Sequence, residues 1–277
     1  MQFLSIVFTA AMATCTLAQK TVTRCGTTDP PETMKFALDQ AAFRGGGVFR
    51  NGTRNVETYA HVVTTQAKEG TYTQQQIQSQ IEVMNSAYGP SGFQFNLVDV
   101  DFTANNEWAA AGQATQTELE MKTALHQGSY ESLNLYFLSD LGGGLLGFCY
   151  FPLENPTDND LTLDGCVNIA GSLPDANELP DYALGLTTVH ETGHWLGLFH
   201  VFQGNSCSGQ GDYISDTPAQ LSPTEGCPAQ ADTCPGSPGQ DNIHNYMDYS
   251  YDECLDSFSR QQGQRMFTVF DQYRAGK

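Results

Sequence analysis

The run His190-Glu191-Thr192-Gly193-His194-Trp195-Leu196-Gly197-Leu198-Phe199-His200 constrains this chain more than any other stretch. Residues four apart share one face of a helix, so His190 and His194 can aim both imidazoles at a single ion. Neutral imidazole nitrogens suit Zn2+ at about 2.0–2.1 Å. Gly197 tolerates a left-handed backbone, which would end the helix and turn the chain so that His200 becomes the third ligand. Three protein ligands leave a fourth position for water, as in hydrolytic rather than structural zinc sites. Glu191 then stands as general base toward that water, passing the proton on to a leaving amine. A bare His-Glu-x-x-His match can arise by chance. Two further fixed positions in a chain with 6 histidines make a surface or core role for them a poor account.

The ends of the chain suggest export and processing. Phe3 to Ala13 is apolar and Thr16-Leu17-Ala18 approximates a small-x-small cleavage site, so residues 1–18 read as a secretory signal, although the n-region carries no Lys or Arg. Residues 19–54, with Pro30-Pro31 and Gly45-Gly46-Gly47, read as a linker or prosegment. Residues 55–277 form the catalytic domain in this division. Removal of Cys15 with the signal leaves seven cysteines: Cys25, Cys149, Cys166, Cys207, Cys227, Cys234 and Cys254. Disulfides fit an oxidising compartment, and an odd number leaves one thiol over. Asn51-Gly52-Thr53 is a glycosylation sequon at Asn51.

Local patterns give the expected elements. Tyr59 to Val63 reads as a strand. Thr73 and Gln76 form a capping box before a helix to Tyr88 with Ile77, Ile81, Met84 and Tyr88 on one face, stopped by Gly89-Pro90. Phe93 to Phe102 alternates with a shift in register after Leu97, which implies a bulged strand. Thr117 and Glu120 suggest a second capping box, with that helix ending at Gly128. Leu133, Leu135 and Phe137 make another strand, and alternation of strands with helices argues for a mostly parallel sheet. Residues 204–239 are rich in Gly and Pro and read as stapled loops. Ser259 and Gln262 open a final helix with Met266, Val269, Phe270 and Tyr273 on its apolar face.

With 12 Lys+Arg against 31 Asp+Glu the net charge is −19, a field that repels nucleic-acid phosphates. No apolar run reaches the roughly 18–20 residues of a membrane span. Residues 123–259 hold nineteen acids and no Lys or Arg. That is either a solubilising surface or a cleft biased toward cations.

The extended histidine motif resembles that of the metzincin metallopeptidases, and Asn245-Tyr246-Met247-Asp248-Tyr249-Ser250 resembles their methionine turn. The stretches around Gly211-Asp212-Tyr213, Asp216-Thr217-Pro218-Ala219, Gly226-Cys227-Pro228 and Asp232-Thr233-Cys234 are similar to the pappalysin family, especially its secreted microbial members. The resemblance implies an α+β metzincin-type zincin fold: a twisted mixed sheet with long helices and a loop-rich C-terminal subdomain. It implies one Zn2+ held by His190, His194 and His200, with Met247 beneath the site. Tyr249 would approach the metal or the oxyanion, a buried structural tyrosine being the alternative. It implies protein or peptide substrates lying extended along an edge strand at Gly142–Tyr150, and structural Ca2+ in the loops, where Asp212 and Asp216 offer oxygens. It supports the disulfides Cys207–Cys234 and Cys227–Cys254, after which Cys149 and Cys166 remain to pair; spacing alone leaves fifteen connectivities open.

The expected function is a secreted, latent zinc endopeptidase; the alternative is a catalytically weak metzincin that acts as a protein-binding module. Asp252 and Glu253, close behind the methionine turn, suggest cleavage next to Arg or Lys. Arg24-Cys25-Gly26-Thr27-Thr28-Asp29 resembles the cysteine-switch segment of some metzincin zymogens, in which a thiolate at about 2.3 Å displaces the catalytic water. Cleavage between residues 45 and 55, near Arg50 or Arg54, would then release the enzyme. An intermolecular disulfide or a fourth internal partner for Cys25 stands beside that reading.

Overall fold

A computed structural model of the chain describes residues 22–43 and 52–277. The signal segment 1–18, Arg50 and the sequon residue Asn51 lie outside the described residues. The elements are α1 (Glu32–Phe43), β1 (Arg54–Thr64), α2 (Gln74–Tyr88), β2 (Phe93–Ala104), α3 (Gln116–Leu125), β3 (Leu133–Leu138), β4 (Gly147–Cys149), α4 (Asp158–Leu163), β5 (Cys166–Ile169), α5 (Leu186–Trp195) and α6 (Arg260–Tyr273).

One five-stranded sheet, in the order β2-β1-β3-β5-β4, organises the molecule. Every pairing is parallel except β4 with β5. The bulge expected in β2 falls at Val98, where the register with β1 steps from Thr58↔Leu97 to Tyr59↔Asp99. β3 is buried along its whole length, as a central strand covered on both faces must be. Leu133, Leu135 and Phe137 face the main core with Ile77, Met84 and Tyr88 of α2 and Val189 and Trp195 of α5. Tyr136 and Leu138 face a second core with Met121 of α3 and Phe148 of β4.

The Thr73–Gln76 and Ser259–Gln262 capping boxes are both formed. The box expected at Thr117 and Glu120 is not. Thr115 caps α3 by accepting from the Glu118 amide, and the Glu118 carboxylate accepts from the Ala114 amide. The same four-residue pattern occurs twice here, and the earlier copy prevails because it lets Glu118 and Lys122 pair inside the second core at 2.8 Å. That helix ends at Leu125, short of Gly128. Gly89-Pro90 does not stop the chain at once; a single 3-10 turn runs to Ser91. Of the edge expected at Gly142–Tyr150, only Gly147–Cys149 is strand, preceded by a 3-10 turn at Gly142–Gly144.

Below the sheet, the long stretch between α5 and α6 holds only one short 3-10 turn, at Asp252–Cys254. Disulfides Cys207–Cys234 and Cys227–Cys254 staple it, each closing 27 residues of sequence separation. Cys149–Cys166 ties β4 to β5 across a register pair. Behind α5, the buried Arg274 guanidinium donates to both oxygens of Asp164 and to the Trp195 carbonyl while lying 3.7 Å from the Trp195 ring centre. That cluster fixes the C-terminal end of α5. No helix among the described residues is long and apolar enough to cross a membrane.

Candidate metal centre and active site

All ten residues of α5 are buried, so its orientation is set by packing on both sides. His190 Nδ1 contacts the Tyr246 carbonyl at 2.7 Å and His194 Nδ1 contacts the Leu198 carbonyl at 2.8 Å. A carbonyl only accepts, so both Nδ1 atoms carry the proton and both Nε2 lone pairs turn inward. Gly197 has φ +86°, the left-handed turn that the sequence required. It carries His200 back so that its Nε2 lies 3.1 Å from His194 Nε2. Cys25, a free and buried cysteine, brings its Sγ to 3.5 Å from His194 Nε2. The ligand atoms of Cys25, His190, His194 and His200 all lie within 4.8 Å of one another.

The group fits a metal ion. Buried His190 Nε2 has no hydrogen-bond partner among the described residues, a costly state that a ligated cation would satisfy. Burial holds the His194 imidazole down to about 4. Burial, and then the neighbouring imidazoles, hold His190 and His200 well below their usual value. Neutral imidazoles are the form that binds metal. Three nitrogens with one sulfur is a donor set suited to tetrahedral Zn2+.

Around these atoms stand the other expected residues. Glu191 Oε2 accepts from the Thr27 hydroxyl at 2.9 Å and the Cys25 thiol at 3.3 Å, and burial pushes its carboxyl up to about 8. The Tyr249 hydroxyl lies 3.2 Å from His200 Nε2 and 3.4 Å from the Cys25 carbonyl it donates to. Met247 is fully buried beneath α5. Asp248 holds the turn by accepting from the amides of Thr224 and Tyr249 and from the Thr224 and Gln220 side chains.

Residues 23–27 run along β4 in parallel. The Thr23 amide donates to Gly144 O, Leu146 N to Thr23 O, and Gly26 N to Gly147 O. The Cys149 amide donates to Thr27 Oγ1. Arg24 lies buried, with Nη2 on Asp252 Oδ1 at 2.7 Å and Nη1 on the Ser250 carbonyl at 2.8 Å. Of the two acids singled out for cation binding, Asp252 faces this pocket and Glu253 is exposed. Asp212 accepts from Thr217 and the Ile214 amide, and Asp216 accepts from Ser259 and the Gln261 amide. Neither joins a metal-sized group among the described residues.

Four residues of the site carry roles that no sequence motif announced. Thr27 reaches the base and Arg24 fills the Asp252 pocket. A Cβ on Gly193 would collide with Met247 Sδ, and one on Gly147 would come within 2.8 Å of Glu191 Cγ. For Gly193 a signal existed, since a glycine inside a helix costs stability and asks for a packing reason.

The mixed sheet, the histidine helix with its glycine turn and the buried methionine turn define a metallopeptidase of the metzincin type. More narrowly, the profile of peptidase family M43, described as pregnancy-associated plasma protein-A, matches residues 121–271, and the chain belongs to that family. It is 46% identical to an extracellular metalloprotease of Pyricularia oryzae over 97% of this chain and 95% of that one. It is 48% identical to extracellular metalloprotease 1 of Coccidioides posadasii, covering 91% of each. A Tannerella forsythia promirolysin variant superposes with a TM-score of 0.74 at 25% identity, over 90% of this chain and 94% of that one. Mature mirolysin in complex with a cleaved peptide superposes with a TM-score of 0.67 at 26% identity, over 82% and 97%. This protein is thus an extracellular metalloendopeptidase.

Proposed function

We propose that the chain is the latent precursor of a zinc endopeptidase, in which His190, His194 and His200 ligate the metal and Cys25 takes the fourth position. The observation that carries this reading is the convergence of the Cys25 thiol with three histidine nitrogens in one buried group. In this reading residues 1–18 are a secretory leader, a prosegment follows from residue 19, and the enzyme begins between the cut and β1, which starts at Arg54. The pro-form and mature form of mirolysin, aligning over 90% and 82% of this chain, support a division near the N-terminus. Arg54 is held within β1 by its amide bond to Gly92 and its guanidinium bonds to Asp271, so Arg50 is the better site for the cut.

When bound, zinc supplies Lewis acidity toward a carbonyl and lowers the pKa of water. The rest falls to this chain's residues. Glu191 accepts the proton of the attacking water at a carboxylate oxygen and returns it to the leaving amine. The Tyr249 hydroxyl donates to the oxyanion. Once residues 23–27 have left, the Leu146 amide and the Gly144 and Gly147 carbonyls are open to pair with an extended peptide. Asp252 pairs with an Arg or Lys side chain of the substrate, the place that Arg24 fills in the precursor.

Digestion of an unfolded protein, with and without chelator, tests this reading. Cutting beside Arg and Lys that chelator abolishes is expected of the processed protein, and Cys25→Ala is expected to process itself faster than wild type. Chelator-resistant digestion, or none by processed protein, would overturn it.

A further inference from the structure

Residues 23–27 are held at the cleft, but the same segment is also held elsewhere. Met34 of α1 is buried against Phe151, Phe199, Val269 and Tyr273, and Leu38 packs partly buried on the same cluster. These partners come from the loop after β4, the turn after α5, and α6. The seat adjoins the metal group through Phe151, whose ring meets His194 edge-on at 5.3 Å, and through Phe199, the chain neighbour of His200. α1 itself contributes no atom to that group. Among the described residues, the contacts that fix residues 23–38 do not depend on the chain continuing into β1, and the intervening stretch carries Gly45-Gly46-Gly47. A single cut there removes the tether and leaves the Met34 and Leu38 contacts in place.

Building on the latent-precursor reading, we propose that the cut prosegment stays bound as a non-covalent inhibitor with α1 as its anchor. Cleavage alone then does not activate the enzyme; α1 must also leave its seat or be degraded. Its departure is compatible with an intact enzyme. Among the described residues, none of α1 joins the sheet or its two main cores. A cleft of about 490 Å³ also remains along the seam, lined by Met34 and Leu38 on one side and Arg265, Val269 and Tyr273 on the other. The bared seat would be an apolar patch of three aromatic rings and a valine, which favours rebinding.

The test uses the full chain with residues 45–49 replaced by the recognition sequence of a site-specific protease. After cutting, the prosegment fragment is expected to co-elute with the enzyme in gel filtration, before and after zinc removal with chelator, and the nicked protein to remain latent. Met34→Lys with Leu38→Lys is expected to raise the fragment's dissociation constant roughly tenfold or more. In that variant the fragment separates and digestion starts on cutting. Elution of the uncut double variant at the wild-type position checks that it folds. Separation of the wild-type fragment on cutting would overturn the proposal. So would separation on chelation alone, which leaves Cys25 as the sole holdfast, or continued co-elution of the double variant. Co-elution does not read activity, so a separated enzyme that digests nothing counts against the peptidase reading and not against the anchor.

Discussion

Arg24 and Asp252 form an ion pair at 2.7 Å with neither side chain more than 2% exposed. The second carboxylate oxygen accepts from the Leu184 amide at 3.0 Å, so Asp252 is fixed at the bottom of its pocket. A buried carboxylate without a cation is costly, and under the proposed function a substrate Arg or Lys takes the place that Arg24 fills here. For prosegment-free enzyme, Asp252→Ala should cost about 2–5 kcal/mol in kcat/KM on peptides with Arg beside the cut. Peptides with an apolar residue there should change little. Retained Arg preference in a competition assay contradicts this role.

Glu191→Ala keeps all three histidines and loses only the proton carrier. Zinc content should stay at one per chain by elemental analysis, while turnover falls roughly 10²- to 10⁴-fold. Near-normal turnover by a zinc-loaded variant would remove Glu191 as the base.

Gly193→Ala tests the packing beneath the metal group. The new Cβ collides with Met247 Sδ, and overpacking of this kind costs about 1–3 kcal/mol. Denaturant unfolding should reveal that loss even in metal-free protein. An unchanged midpoint would mean that Met247 moves freely, contrary to its full burial.

What the sequence made legible follows from how local each signal is. The spacing of His190, His194, Gly197 and His200 is set by one helix and one turn, so the metal group could be read directly. The caps at Thr73 and Ser259 are equally local. Thr115 against Thr117 was not decidable locally, because burial of Glu118 with Lys122 selects the register. The same holds for Thr27 and Arg24, which meet Glu191 and Asp252 across separations of 164 and 228 residues. The fold alone determines such contacts. Met34 gave no signal either, since its partners Phe151, Phe199, Val269 and Tyr273 all lie more than a hundred residues away in sequence.

Asp212 gives a pH test. Burial, opposed by the nearby Arg265, pushes its carboxyl up to about 7, above the roughly 3.9 of an unfolded chain. The folded state therefore holds this proton more tightly. Its stabilisation is complete below the unfolded value and is lost as pH rises through about 7. Asp212→Asn should lose less stability between pH 5 and pH 8 than wild type, by on the order of 1–3 kcal/mol in chemical denaturation. A steeper loss in the variant would show that the carboxylate is stabilised there, as a bound Ca2+ would make it.

The most direct measurement of the central claim is X-ray absorption at the zinc edge on full-length, zinc-loaded precursor. The account predicts one sulfur at about 2.3 Å and three nitrogens at about 2.0–2.1 Å. The sulfur should be replaced by a light-atom ligand in Cys25→Ala and after the prosegment has gone, with digestion appearing once the prosegment has gone. A precursor whose zinc shell contains only nitrogen and oxygen would contradict the claim.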